Sequence, residues 1–130
     1  ERIPQDIQKA WNTVRKAIVE SAKFLKPRVL GYQVDEIARK IVVQAGYPEY
    51  LHALGHQVGK YVHDGASLLG PRWERYGNTP YLPVEEGNVF TLELGVSVPN
   101  RGYLGLEEVV LITGSGCRFL SKPQSKLFCV

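Results

Sequence analysis

The sequence predicts an α+β domain in which two N-terminal helices pack on a mostly antiparallel sheet. Three observations carry that expectation. Two stretches of helical apolar spacing occupy the first 45 residues. Short β-type runs follow Gly46, where most of the glycines and prolines also fall. The chain has 130 residues, 44% of them hydrophobic, which suits one buried core and one domain over 1–130.

In the first stretch Ile7, Trp11, Val14, Ile18 and Leu25, flanked by Ala10, Ala17 and Ala22, fall on one helical stripe through about residue 26. Pro27 stops it, because the ring disfavours helical backbone in the residue before it. Val34, Ile37, Ala38, Ile41, Val42 and Ala45 repeat the spacing, and Gly46 supplies a left-handed C-terminal cap. Strands are expected at 54–62, 88–98, 106–113 and 117–120, with Gly114, Ser115 and Gly116 turning a hairpin between the last two. Residues 65–86 form a long loop containing Pro71, Pro80 and Pro83, a length typical of functional or mobile segments. Its Tyr76 and Tyr81 are expected to pack on their own sheet. Trp73 is balanced between that role and a substrate pocket. No internal repeat or linker divides the chain.

Composition excludes some function classes. The formal charge of +3 is spread along the chain, which argues against a nucleic-acid or anionic-membrane partner. No stretch approaches the roughly 20 apolar residues of a membrane span. Two cysteines, Cys117 and Cys129, are too few for a disulfide scaffold, so a soluble, reducing, cytoplasmic setting is expected. The chain has no methionine and opens at Glu1 into helix-like sequence, which leads us to expect further sequence upstream.

The chemistry is concentrated in HALGHQVGKYVHD, residues 52–64, which holds all three histidines: His52, His56 and His63. Ordinary histidines bonded to backbone carbonyls would be the plain account. Two carboxylates favour a sharper one. Glu93 lies inside the apolar run VFTLELGV on the Val89/Thr91 face, where a lone carboxylate needs a cation or a proton. Glu107, at the head of EEVVLIT, faces the same demand unless it frays into solvent, whereas Glu108 is expected to reach water on the opposite face. One histidine and two glutamates on adjacent strands would form a rigid N/O ligand set for Zn, Mn, Co or Fe.

The run HALGHQVGKYVHD, followed in order by VFTLELGVSVP, LEEVVLIT and GCRFLS, resembles the C-terminal half of the pita-bread metallopeptidases. It looks most like their Xaa-Pro aminopeptidase and prolidase branch, because His52 stands four residues before His56 and the VHD triplet follows. The resemblance covers essentially the whole chain. It implies that His56 and Glu93 bind metal and that Glu107 bridges two metal ions. His52 would contact substrate near the leaving side, and His63 would stabilise the tetrahedral intermediate. Glu93 would also shuttle the proton.

The implied activity is removal of an N-terminal residue preceding proline, with Mn, Co or Zn as cofactor and a peptide as substrate. A peptide- or protein-binding module of the same fold is the alternative. The family also needs two aspartates on a preceding strand pair, and Asp6, Asp35 and Asp64 do not fit them. At most one metal is therefore expected here. The chain alone is expected to be inactive and to associate with the missing N-terminal half or with itself. Leu94 stands where the family often has proline. Gly105 replaces a frequent substrate-carboxylate arginine, which argues against a strict dipeptidase.

Overall fold

A computed structural model describes residues 2–129, and the predicted architecture is the observed one: two helices on antiparallel sheets. Helix α1 spans Gln5–Phe24 and helix α2 spans Gly31–Gln44. Helix α1 ends two residues earlier than its apolar stripe suggests. Leu25 is already extended, its N–H bonded back to Ser21, ahead of the Lys26–Pro27 step that forbids helix. Gly46 takes φ +91 beyond α2, the left-handed conformation that its missing Cβ permits.

Two short strands, β1 (Gly55–His56) and β2 (Leu68–Leu69), pair antiparallel. Three more, β3 (Val89–Val98), β4 (Gly102–Ile112) and β5 (Cys117–Phe119), form a sheet in the order β3-β4-β5. Residues 54–58 run along the free edge of β3. The Glu93 N–H donates to the Leu54 carbonyl at 2.7 Å, the Val58 N–H donates to Val89, and Gln57 bridges to Phe90.

The strand expected over 54–62 is therefore cut short at residue 56, for a local reason. Asp64 accepts the N–H groups of Tyr61 and Gly65, and Gln57 Oε1 accepts those of Ala66 and Ser67. Side chains that satisfy the backbone in this way compete with a ladder and bend the chain into turns. The same two N–H groups hold the Asp64 carboxyl below the usual carboxylate range.

Alternation along β3 sorts its two faces. Phe90, Leu92, Leu94 and Val96 are buried with Ala10, Val14, Ile18 and Val42 in one core beneath the helices. Burying such side chains contributes roughly 1.5–3 kcal/mol each, which fixes the register. In the β3–β4 ladder Leu92 pairs with Glu108 and Glu93 with Glu107. Glu108 thus falls on the helix-facing side, correcting the expectation that it reaches water. It is 5% exposed, 3.9 Å from Arg15 of α1, and accepts the Gln124 N–H. Glu93 and Glu107 share the opposite, open face. Among the described residues no helix is long and apolar enough to cross a membrane.

Candidate metal centre

The approach to His56 is built from α2. Asp35 and Arg39, one helical turn apart, are both buried and joined by a two-pronged ion pair of 2.7 and 2.9 Å. Arg39 donates further to the carbonyls of Tyr50 and His52, and Asp35 accepts the Leu54 N–H. Residues 50, 52 and 54 are thereby fixed just ahead of β1. Burial, reinforced by the neighbouring Asp35 carboxylate, pushes the Tyr50 phenol far above its usual range.

Past Leu54 the backbone is held by β3. Gly55 lies so close to the main-chain oxygen of Thr91 that no Cβ would fit between them. The His56 N–H then donates to Thr91 Oγ1 at 3.0 Å. His56 Nδ1 lies 3.0 Å from the Gln57 carbonyl oxygen, a pairing that places the ring proton on Nδ1. Nε2 faces the other way, 3.6 Å from Glu93 Oε2. That separation is too long for a strong hydrogen bond and is the kind left when two ligands face a common point.

The sequence-predicted residues gather on this open face, though not equally. His56 and His63 are in ring contact, with centroids 4.0 Å apart. His52 bonds through Nδ1 to the Ala53 carbonyl at 2.7 Å. A cleft of about 190 Å³ is lined by His52, His56, His63, Glu93 and Tyr76. A second, of about 350 Å³, is lined by His52, Glu93, Tyr103, Gly105 and Glu107. The two meet at His52 and Glu93. Another surface cleft, of about 530 Å³, lies elsewhere, between α1 and α2 around Lys9, Asn12 and Gln44, and holds none of these groups.

Does this face fit a metal ion? The imidazole nitrogen and carboxylate oxygens are suitable donors for a divalent ion, and the Nδ1 contact of His56 turns Nε2 toward Glu93. Glu107 is one strand across from Glu93 and points from the same face, but it is exposed. Among the described residues no group of three His, Cys, Asp or Glu side chains is close enough to hold an ion. The residues fit as part of a site: His56 and Glu93 face each other at 3.6 Å, with Glu107 opposite Glu93 in the ladder.

Tyr76 was expected to pack on its own sheet. It instead lines the cleft with His56 and Glu93, while its ring stacks on Trp73 at 5.9 Å. Tyr81, also expected on its own sheet, instead lies against Tyr32 of α2, with ring centroids 5.7 Å apart, and stays exposed. Sequence reasoning also missed Thr91, Asp35, Arg39 and Tyr103. The acid and base four residues apart at 35 and 39, flanking the apolar stripe of α2, were the available signal for the buried pair. The Tyr103 ring lies across Gly95, where a Cβ would strike it, a contact that only the β-ladder reveals.

A model of metallopeptidase family M24 matches residues 2–114. The chain belongs to that family. This M24 chain is 39% identical over 114 residues to an Xaa-Pro dipeptidase of Pyrococcus horikoshii, covering 87% of the chain and 29% of the relative. A Pyrococcus furiosus Xaa-Pro dipeptidase is 37% identical over the same length, covering 87% of the chain and 30% of the relative. Among solved structures, an X-Pro aminopeptidase from Thermotoga maritima superposes with a TM-score of 0.86 at 28% identity, over 99% of this chain and 35% of that one. A methionine aminopeptidase from Rickettsia prowazekii, at TM-score 0.73 and 16% identity over 91% of this chain and 53% of that one, shares the fold alone. The M24 chain spans about a third of the length of the curated relatives it matches. The expected pita-bread resemblance and its proline-directed branch are borne out.

Proposed function

We propose that this M24 chain supplies part of the active centre of a metal-dependent exopeptidase that removes an N-terminal residue preceding proline. The observation that carries the reading is the outward Nε2 of His56, 3.6 Å from Glu93 Oε2 on the face that Glu107 shares. The chain's relatives with Xaa-Pro dipeptidase activity in their names support the substrate class.

His56, Glu93 and Glu107 would hold a divalent ion, together with acidic ligands from outside the described residues. Bound there, such an ion supplies Lewis acidity and an activated water. His56 is held for that task by its Nδ1 bond to Gln57. Glu93 takes up the proton of the attacking water on its carboxylate and passes it to the leaving nitrogen. His63, in ring contact with His56, donates an N–H toward the developing oxyanion, and His52 orients the leaving side of the peptide. Gly105 offers no cation to a free carboxylate, which favours peptides that continue beyond the proline. We extend the proposal to Mn, Co or Zn as the ion and to a reducing compartment, supported by the free thiols of Cys117 and Cys129. Exposed Leu51, Tyr61, Val62 and Tyr103 support self-association through this side of the molecule.

The test uses the full-length protein with Mn²⁺, an Xaa-Pro dipeptide and a longer Xaa-Pro peptide, with light scattering on the same sample. Release of the first residue, lost on chelation and faster from the longer peptide, is the expected result. No cleavage of either peptide would contradict the reading, and tight binding of an uncleaved peptide would favour a binding module. A monodisperse monomer would contradict self-association.

A further inference from the structure

The segment that leads into β1 has no regular secondary structure at residues 48–54, so its backbone groups need partners from elsewhere. Two arginines supply them. Arg39 donates to the Tyr50 carbonyl at 2.7 Å and to the His52 carbonyl at 2.9 Å, and Arg75 donates to the intervening Leu51 carbonyl at 2.6 Å. Asp35 completes the set by accepting the Leu54 N–H at 3.1 Å.

The Arg39 guanidinium also lies over two rings. Its central carbon is 4.1 Å from the centroid of Tyr50 and 4.9 Å from that of Trp73. Trp73 stacks nearly parallel to Tyr76, with 13° between the planes, and Tyr76 lines the cleft with His56 and Glu93. One buried side chain therefore touches both the strand approach that presents the histidines and the aromatic wall that faces them.

A buried ion pair is a poor source of stability, because removing two charges from water offsets most of their attraction. What the planar fork offers, and an apolar pair would not, is several directed bonds from a single rigid group. We propose that Asp35 and Arg39 are positioning residues, which set His52 and His56 against Glu93 and hold the Trp73–Tyr76 wall of the cleft in register with them. Neither touches the substrate. The inference rests on the peptidase reading above for its activity arm alone.

The test compares Arg39→Lys and Arg39→Met in the full-length protein, with Glu49→Gln as control. Glu49 is an exposed partner of Arg39 at 3.6 Å. Lysine keeps the charge beside Asp35 but cannot fork onto the carboxylate while reaching both carbonyls. Positioning predicts that both Arg39 variants fold, yet each loses roughly tenfold or more in kcat/KM for an Xaa-Pro peptide, with Glu49→Gln near the parent. Co²⁺ affinity falls alongside. The ¹⁹F resonance of 5-fluorotryptophan at Trp73, assigned through Trp73→Phe, shifts in both variants. If Arg39→Lys restores parental kcat/KM, Co²⁺ affinity and Trp73 resonance, the residue only neutralises charge and the proposal is overturned. Should Arg39→Met fail to fold, the lysine variant and Asp35→Asn decide the matter. If the parent binds Co²⁺ but cleaves nothing, the peptidase reading fails while the metal and ¹⁹F arms still judge the positioning claim.

Discussion

Glu93→Gln in the full-length protein is expected to lower kcat/KM for an Xaa-Pro peptide by about a thousandfold or more, the scale of a lost acid–base group. The substitution preserves the volume of the side chain and its place in β3, opposite Glu107. It removes the negative charge that faces His56 Nε2 at 3.6 Å and the oxygen that would take up a proton. Divalent-ion affinity should weaken in the same variant. Glu93 is partly exposed on the open face and makes no part of the core, so thermal stability should hardly change. Steady-state kinetics with a Mn²⁺ titration checks this. A variant within tenfold of the parent would remove Glu93 from the chemistry.

Gly55→Ala is expected to lower the unfolding free energy by on the order of 3 kcal/mol, the upper end of overpacking effects. A Cβ at this position collides with the main-chain oxygen of Thr91. Thr91 cannot retreat, because β3 is paired along its other edge with β4, Thr91 opposite Val109. The strain must therefore lift β1 from β3. That breaks the Glu93 N–H bond to Leu54 and the His56 N–H bond to Thr91 Oγ1, and it carries His56 away from Glu93. Urea denaturation should show a lower midpoint with an unchanged slope. A loss below about 1 kcal/mol would mean that the close approach at Gly55 does not set the ligand spacing.

Much of this architecture is legible in the amino-acid order. The helical stripes at Ala10, Val14, Ile18 and at Val34, Ala38, Val42 are the buried faces of α1 and α2, because apolar burial at a 3.6-residue period leaves a direct trace. The long strand around Glu93 is equally plain, and its alternation places Glu93 on the Thr91 side. What the order of residues hides is pairing. Whether Glu107 or Glu108 joins Glu93 depends on the β3–β4 register, and Glu108 turned out to be the buried partner of Arg15. The strand expected through residue 62 ends at His56 because Gln57 and Asp64 satisfy the backbone with their own side chains. Short-range hydrogen bonding of this kind leaves the hydrophobic pattern untouched. Tyr76 reaches the cleft through its stack on Trp73, a contact between two rings on a loop that no periodicity encodes.

The decisive measurement is the position of a bound ion in crystals of the full-length protein grown with Mn²⁺, located from its anomalous scattering. The account predicts a peak on the open face of β3, about 2.0–2.2 Å from His56 Nε2 and from a Glu93 oxygen, with Glu107 in or beside the coordination sphere. A strong anomalous peak elsewhere, with His56 and Glu93 free of metal at saturating Mn²⁺, would contradict it.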